Sequence, residues 1–407
     1  MNTNNNNNNN NNSNNNNNNN NYDDDDDNDD GCCTERGSHH LILNNRDWST
    51  VSHFWSSCIS TRSIESLPSW VIGSSSSTSS SSSSYGITNI SNISNMGIDE
   101  YSSSDPRHKR QTFAVRIGYN GVEYNGYQIQ KGSNDDIVTV EGDISQALGH
   151  SINAAGRTDS NVSAISQIIS FHSYEDLTPA IILEKLENSP ACQSKRLGAW
   201  DCYRVPRKFH ALFSATWRRY LYLLPLQTVD EVHGRRYDID VSFVNVLFQK
   251  LEGLPLSYNA FAYREWIDKS KREKGDTCIL YKACAFRVDL DLEHADTESI
   301  GKPAMCVELV GDRFLRRMVR ILVATACRES LLPSNERCSE KLLNICKEGD
   351  RKKSALAISG IGLSMGGVGY DLDAFRKPKH GASKKRKIEN TQESNESYEI
   401  NEINEIK

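Results

Sequence analysis

Residues 153–162 are a polar stretch, rich in Gly, Ala, Ser and Asn, that carries the charged side chains of Arg157 and Asp159. The stretch precedes an apolar segment at residues 167–171, which predicts a loop followed by a strand. Catalytic groups often lie on such loops, where a carboxylate can act as a nucleophile or as a general base. Taken alone, Gly156-Arg157-Thr158-Asp159 is also typical of a polar turn capped by its aspartate.

A second concentration of charge follows Gly311-Asp312, where the sequence predicts a helix. Its apolar residues recur at helical spacing and should pack on the sheet: Leu315, Met318, Val319 and Leu322. Its arginines fall three and four residues apart: Arg313, Arg316, Arg317 and Arg320. This spacing predicts a basic stripe along one side of the helix, suited to binding phosphate groups.

Strands and helices alternate irregularly around these two regions. Residues 112–119 alternate as a half-buried strand does, and residues 217–224 place Arg218, Tyr220 and Tyr222 on one face. Residues 305–310 are apolar enough for a central strand, and residues 143–148 favour a short helix. Neither a glycine-rich strand-turn-helix nor a Walker-type loop occurs, which disfavours nucleotide-cofactor folds.

Composition divides the chain into a folded unit and two tails. Asn, Asp and Ser tracts dominate residues 1–110, and residues 377–407 are basic and polar, so both are predicted to be disordered. The folded unit is predicted to span residues 111–376. The net charge of −6 comes largely from the Asp tract, so an RNA site would require local clustering of cations.

Eleven cysteines without a Cys-x-x-Cys pair argue against a disulfide framework or a structural zinc, and indicate a reducing compartment. No apolar run is long enough for a membrane span, and the Asn-rich start is unlike a secretory leader. The basic cluster Lys384-Lys385-Arg386-Lys387 has the form of a nuclear import signal, but equally of a solvated tail. We therefore expect the nucleus or the cytoplasm, with an organelle disfavoured.

Several motifs in one order resemble the tRNA pseudouridine synthase A family. They are Tyr119-Asn120-Gly121 with Tyr124, Gly126, Tyr127 and Gln128; Ala155-Gly156-Arg157-Thr158-Asp159; Phe209-His210-Ala211 leading into Phe213-Ser214-Ala215-Thr216 and Arg218-Arg219-Tyr220-Leu221-Tyr222; Phe314-Leu315-Arg316-Arg317-Met318-Val319-Arg320; and Gly362-Leu363 with Val368 and Tyr370. Together they span residues 113–372, effectively the whole predicted folded unit.

This resemblance implies an α+β fold of two ferredoxin-like halves that form a joined antiparallel sheet with a central catalytic cleft. The predicted N-terminal half is 111–240, with the catalytic loop, and the predicted C-terminal half is 241–376. It implies isomerisation of uridine to pseudouridine in RNA, in the tRNA anticodon stem-loop, with tRNA as partner and a homodimer as in bacterial members. No cofactor or metal is expected, so activity should survive exhaustive chelation. The alternative is an inactive RNA-binding or RNA-chaperone protein on the same fold. A glycoside hydrolase is disfavoured, because it would need a second carboxylate and the sequence contains no motif for one.

The resemblance also assigns residues. Asp159 is the catalytic carboxylate, Arg320 the cation that keeps it charged, and Tyr220 the ring on which a flipped uracil stacks. The residues expected to bind substrate are Arg157, Tyr222, Arg316, Arg317, Tyr127 and Gln128, although Tyr222 could equally be a core residue. Nucleophilic attack and proton abstraction both remain open as routes.

The chain departs from the family pattern at five places. Ser160-Asn161-Val162-Ser163 replaces Ala-Gly-Val-His, and the single changes are Asn120 for Asp, Tyr127 for Trp, Leu212 for Arg and Ala324 for Gly. None of them removes the carboxylate, the tyrosine or the arginine. They bear on substrate choice more than on chemistry.

Overall fold

The computed structural model describes residues 40, 42–61, 66–73, 110–130, 137–226, 238–263, 276–290 and 302–371. The Asn and Asp tracts, the charged stretch 264–275 and the basic cluster at 384–387 lie outside these residues. Within them, no helix combines the length and the apolar character that a membrane crossing needs.

The centre of the fold is one large sheet. Its nine described strands are β1 (Gln111–Tyr119), β2 (Asn153–Ala154), β3 (Ser163–Ser173), β4 (Leu197–Val205), β5 (Ala215–Pro225), β6 (Pro255–Ser257), β7 (Thr277–Asp289), β8 (Pro303–Gly311) and β9 (Leu363–Tyr370). They follow the order β4-β1-β3-β9-β5-β8-β7-β6, with β2 paired to β3. All pairings are antiparallel except β3 with β9, which is parallel and short. The mixed content and mostly antiparallel sheet are consistent with the predicted α+β class.

Eight α-helices with both ends in the described residues flank this sheet. They are α1 (Ser49–Ser60), α2 (Ser69–Ile72), α3 (Val140–Leu148), α4 (Pro179–Glu187), α5 (Pro190–Gln193), α6 (Val241–Gln249), α7 (Met318–Ser330) and α8 (Lys341–Glu348). The side chains of α3 and α4 pack on β1 and β3, and those of α6, α7 and α8 pack on β5, β7 and β8. Tyr220 of β5 packs against both clusters, so the two cores meet at this residue.

The sequence periods predicted the main strands correctly. The segments predicted at residues 112–119, 217–224 and 305–310 are β1, β5 and β8, and the helix predicted at 143–148 is part of α3. β5 hydrogen-bonds β8 and β9, although the predicted boundary at residue 240 assigns it to the first half. Strand pairing therefore groups β5 with the strands of the second half.

The prediction of a disordered tail over residues 1–110 is wrong for residues 40, 42–61 and 66–73, which we call the N-terminal segment. Most of its buried apolar side chains pack in a cluster with Ile165, Leu221 and Leu223 on the face of the sheet opposite Tyr220. The buried residues of α1 are Val51, Phe54, Trp55, Cys58 and Ile59, the apolar stripe of an amphipathic helix. The prediction used the composition of residues 1–110 as a whole. Because Asn, Asp and Ser tracts dominate that composition, it did not show the short apolar stripe of α1.

The arginine-bearing helix also begins later than predicted. Arg317 lies in the left-handed region, with φ 58°, and α7 starts at Met318. Before it, the backbone N–H of Tyr263 donates to the carbonyl of Arg316 at 3.0 Å. Only Arg320 of the predicted basic stripe is helical, because the backbone at Arg317 interrupts the helical spacing.

Candidate active site

The loop that carries Asp159 is anchored mainly through its backbone. Ala155 N–H donates to Ile168 O at 2.9 Å, and Gln167 Nε2 donates to Gly156 O at 2.7 Å. On the other side, Tyr127 N–H donates to Thr158 O at 3.1 Å. These bonds join the loop to β3 and to the turn after β1. The position of the aspartate therefore depends on the loop itself, on β3 and on this turn.

A pair of buried hydroxyl groups, from Tyr119 of β1 and Thr158 of the loop, also holds the loop against β1. Tyr119 and Thr158 place their hydroxyl oxygens 2.9 Å apart, and both residues are buried. Burial raises the pKa of Tyr119 to about 12, so its hydroxyl stays protonated and available as a hydrogen-bond donor at neutral pH.

Arg320 is the cation beside the carboxylate. Its Nη1 lies 3.9 Å from Asp159 Oδ2, and its Nε donates to Ile358 O at 2.6 Å. The side chain of Asp159 is 34% exposed and that of Arg320 is 17% exposed, so the carboxylate faces solvent while the guanidinium is largely enclosed. At 3.9 Å the two groups attract each other electrostatically without a close hydrogen bond between these atoms.

Tyr220 lies on the same side of the sheet as this pair. Its ring meets Phe314 edge to face, with centroids 4.9 Å apart and an interplanar angle of 78°. A Cβ added at Gly156 would come within 3.6 Å of the tyrosine hydroxyl and within 2.7 Å of Met365, so the loop passes closely over both side chains. Burial is the main cause that raises the pKa of Tyr220, which keeps its hydroxyl neutral.

Arg218 is a functional candidate that the sequence reasoning missed. Its guanidinium donates to the carbonyl oxygens of Ala155, Leu212, Ala215 and Asp312, at distances from 2.9 to 3.3 Å. It therefore ties the loop that carries Asp159 to β5 and to the end of β8. The sequence pattern did place Arg218 on the same strand face as Tyr220. Strand periodicity does not predict which groups a side chain contacts, so its four carbonyl partners could not be inferred.

The predicted substrate-binding residues fall into different environments. Arg157, Gln128 and Arg316 are exposed, and the guanidinium carbons of Arg316 and Arg317 lie 4.8 and 4.4 Å from the Tyr263 ring centroid. Tyr222 is fully buried and its hydroxyl donates to Ser359 O at 2.8 Å, so the prediction that it binds substrate is wrong. Its neighbours on that face, Trp48 among them, exclude a substrate ring.

Tyr127 is also a core residue rather than a surface contact. It is 3% exposed and packs with Tyr119, and no described residue offers its hydroxyl a hydrogen-bond partner. We expect Tyr127→Phe to keep or raise the melting temperature, because it removes a buried polar group that lacks a partner. Thermal unfolding and RNA affinity measured together check this, and weaker RNA binding at unchanged stability would show that the hydroxyl reaches the substrate.

Among the described residues, no group of three or more His, Cys, Asp or Glu side chains is arranged to hold a metal ion. Asp159, which lies beside Arg320 and close to the Tyr220 ring, has the chemistry of a nucleophile or a general base.

Comparison with known proteins identifies the family. No protein-family model matches the chain. It is 39% identical over 234 residues to a tRNA pseudouridine synthase A of Chlorobaculum tepidum, a match that covers 53% of this chain and 81% of the relative. It is 30% identical over 223 residues to that of Mycoplasmoides gallisepticum, covering 51% and 73%. With that of Anoxybacillus flavithermus it shares 27% over 271 residues, covering 63% and 97%.

The mixed sheet, the carboxylate loop and these relatives together define the class of protein: the chain is a pseudouridine synthase, an isomerase. It belongs to the tRNA pseudouridine synthase A family, as the order of its motifs predicted.

Proposed function

We propose that this enzyme isomerises uridine to pseudouridine in tRNA, within the anticodon stem-loop, and that Asp159 is its catalytic carboxylate. The observation that carries the proposal is the Asp159–Arg320 pair, in which a partly exposed carboxylate lies 3.9 Å from an enclosed guanidinium. The curated relatives are tRNA pseudouridine synthases by name, which supports tRNA as the substrate.

The reaction breaks the bond between N1 of uracil and C1′ of the ribose and forms a bond between C5 and C1′. C5 loses a proton and N1 gains one, so atoms and electrons balance without an oxidant or an energy source. Asp159 starts the reaction either by attacking the sugar or base or by removing a sugar proton. In both routes the carboxylate must be ionised, and the adjacent guanidinium attracts it electrostatically across 3.9 Å.

The neighbouring side chains suit a nucleotide flipped out of its stack. Tyr220 offers a half-buried flat ring beside the loop, and its edge contact with Phe314 holds the ring in place. Stacking on such a ring is worth about 1–3 kcal/mol per base, comparable with the cost of extruding the nucleotide. Exposed Arg157 lies in the loop, and exposed Gln128 follows Tyr127, whose N–H bonds to Thr158 O; both are proposed to contact the RNA.

The finer architecture is part of the same proposal. We infer two ferredoxin-like halves joined side by side, with the cleft over their junction. Two hydrophobic clusters that meet at Tyr220 and the short parallel contact between β3 and β9 support this arrangement. The loop with Asp159 immediately precedes β3, and β3 pairs with β9 at Ser163 and Ala164.

Release of tritium from tRNA that contains 5-tritiated uridine tests the activity, because the C5 hydrogen leaves only when the carbon-linked isomer forms. We expect tritium release with no free uracil, and mapping should place the product in the anticodon stem-loop. RNA binding without tritium release would favour the inactive RNA-chaperone alternative, and free uracil would indicate glycoside hydrolysis. A product elsewhere in the tRNA would refute the proposed location alone.

Arg316 and Arg317 provide a test of RNA binding. Both guanidinium groups lie over Tyr263 at the entrance to α7, and Arg316 is exposed. If they contact phosphate, Arg316→Ala and Arg317→Ala should each weaken tRNA binding and reduce the slope of log K against log salt by about 1. Lys302→Ala is the control, because this cation lies beside Thr50 of the N-terminal segment. Slopes equal to wild type in both arginine variants would assign them to structure.

A further inference from the structure

The N-terminal segment contacts one particular loop, residues 355–361, which we call the anchor loop. His40 Nε2 lies 3.1 Å from Ala357 O, and Ser359 N–H donates to Asn44 Oδ1 at 2.9 Å. Trp55 Nε1 donates to Ile361 O at 3.1 Å. Three side chains of the segment therefore bind backbone groups at alternate positions of this loop.

The anchor loop also holds the catalytic cation. Between the positions bound by His40 and Asn44, the carbonyl of Ile358 accepts from Arg320 Nε at 2.6 Å. The loop reaches the aspartate side as well, because a Cβ added at Gly360 would come within 2.8 Å of Ser160 O. A shift of the anchor loop would therefore move Arg320 and press on the residue next to Asp159.

A second anchorage fixes the segment on the opposite face of the sheet. Arg219 is fully buried, and its guanidinium donates to Val71 O at 2.6 Å, to Trp70 O at 2.7 Å and to Glu308 at 2.6 Å. Arg219 precedes Tyr220 on β5, so these hydrogen bonds attach the segment to the strand that carries the Tyr220 ring. Apolar packing by Phe54 and Trp55, which are 0–1% exposed, completes this attachment.

We propose that the N-terminal segment positions the active site: it holds the anchor loop and thereby sets Arg320 relative to Asp159. The inference rests on the proposed function, because it assigns the segment to the same catalytic pair. Asn44 and Trp55 act through Arg320 and are therefore positioning residues. Catalytic geometry tolerates little error, since a displacement of about 1 Å can cost on the order of a hundredfold in rate.

Two full-length variants test this role. Asn44→Leu keeps the size of the side chain but removes the acceptor for Ser359 N–H, and Trp55→Phe removes the donor to Ile361 O. We expect each to lower the single-turnover rate of tritium release by about tenfold or more, with the Kd for tRNA unchanged. A purely structural role would lower the melting temperature and the active fraction, but not the rate per folded enzyme.

Ile182→Ala is the matched control, because this fully buried residue of α4 belongs to the other hydrophobic cluster. It should lower the melting temperature while the rate per folded enzyme stays at the wild-type value. The inference is overturned if Asn44→Leu and Trp55→Phe react at the wild-type rate, or if Ile182→Ala loses rate equally at the same loss of stability.

Asp159→Asn in the same assay separates the two proposals. If Asp159→Asn is inactive while Asn44→Leu and Trp55→Phe are fully active, only the role of the N-terminal segment is refuted. If Asp159→Asn retains turnover, the proposed catalytic pair is wrong. The positioning role of the N-terminal segment is then refuted as well, because it acts on that pair.

Discussion

Asp159→Asn should abolish pseudouridine formation while leaving the fold and tRNA binding intact. An amide of the same shape is neither an anionic nucleophile nor a base, so the first chemical step has no group to start it. Loss of a nucleophile in other enzymes lowers kcat by about 10⁴-fold or more, and we expect a loss of that order. Tritium release under single-turnover conditions, with tRNA affinity measured in parallel, gives both quantities.

Asp201→Asn is the matched control for this variant. Asp201 forms an ion pair with Arg116 between β4 and β1, away from the catalytic loop. Its replacement should lower the free energy of unfolding, because a half-buried cation loses its partner, but turnover per folded enzyme should remain at the wild-type value. Near wild-type activity in Asp159→Asn would remove this residue from the mechanism.

Arg320→Ala should produce the second-largest loss, and the loss should lie in the chemical step. The guanidinium is the charge beside Asp159 Oδ2, and it is held in that position by Ile358 O. Removal of one preorganised electrostatic group from an active site typically costs about 10²–10³-fold in kcat. We therefore expect the single-turnover rate to fall by that amount while the Kd for tRNA changes little.

Arg328→Ala offers a control in the same helix. Arg328 is on α7, and its guanidinium binds Glu329 and the carbonyl of Lys353. Its replacement removes a cation and three hydrogen bonds from α7 without removing the charge beside Asp159, so stability should fall while the rate is kept. Equal rate losses in Arg320→Ala and Arg328→Ala would show that the arginines act through the stability of α7.

Residue chemistry and local period were enough to select the main residues of the candidate active site. The motif around Asp159 marked a polar loop ahead of a strand, and alternation along residues 217–224 correctly placed Tyr220 and Tyr222 on one face. Period alone could not separate these two tyrosines, because it specifies the side of a strand but not what covers each position. Tyr220 borders the catalytic loop, whereas Tyr222 is covered by Trp48 and bonded to Ser359.

The local sequence pattern also gave a wrong prediction for the arginines, because it placed Arg313, Arg316 and Arg317 in the helix. Their spacing fits a helix, yet the backbone of Arg317 is left-handed and Tyr263, more than fifty positions earlier, contacts both Arg316 and Arg317. A tertiary contact therefore overrides the helical propensity of this stretch. Only Arg320 remains in the helix and reaches the carboxylate.

The sequence by itself determined the family and the main strands, and it led to the proposal that Asp159 and Arg320 form the catalytic pair, because these follow from ordered motifs and short periods. Only the tertiary structure decided which side chains are buried, how Arg218 ties the loop to the sheet, and that the N-terminal segment belongs to the fold. The bond between Asn44 and Ser359 joins residues 315 positions apart. Such contacts depend on how the whole chain packs, and short-range patterns of residue type carry no record of them.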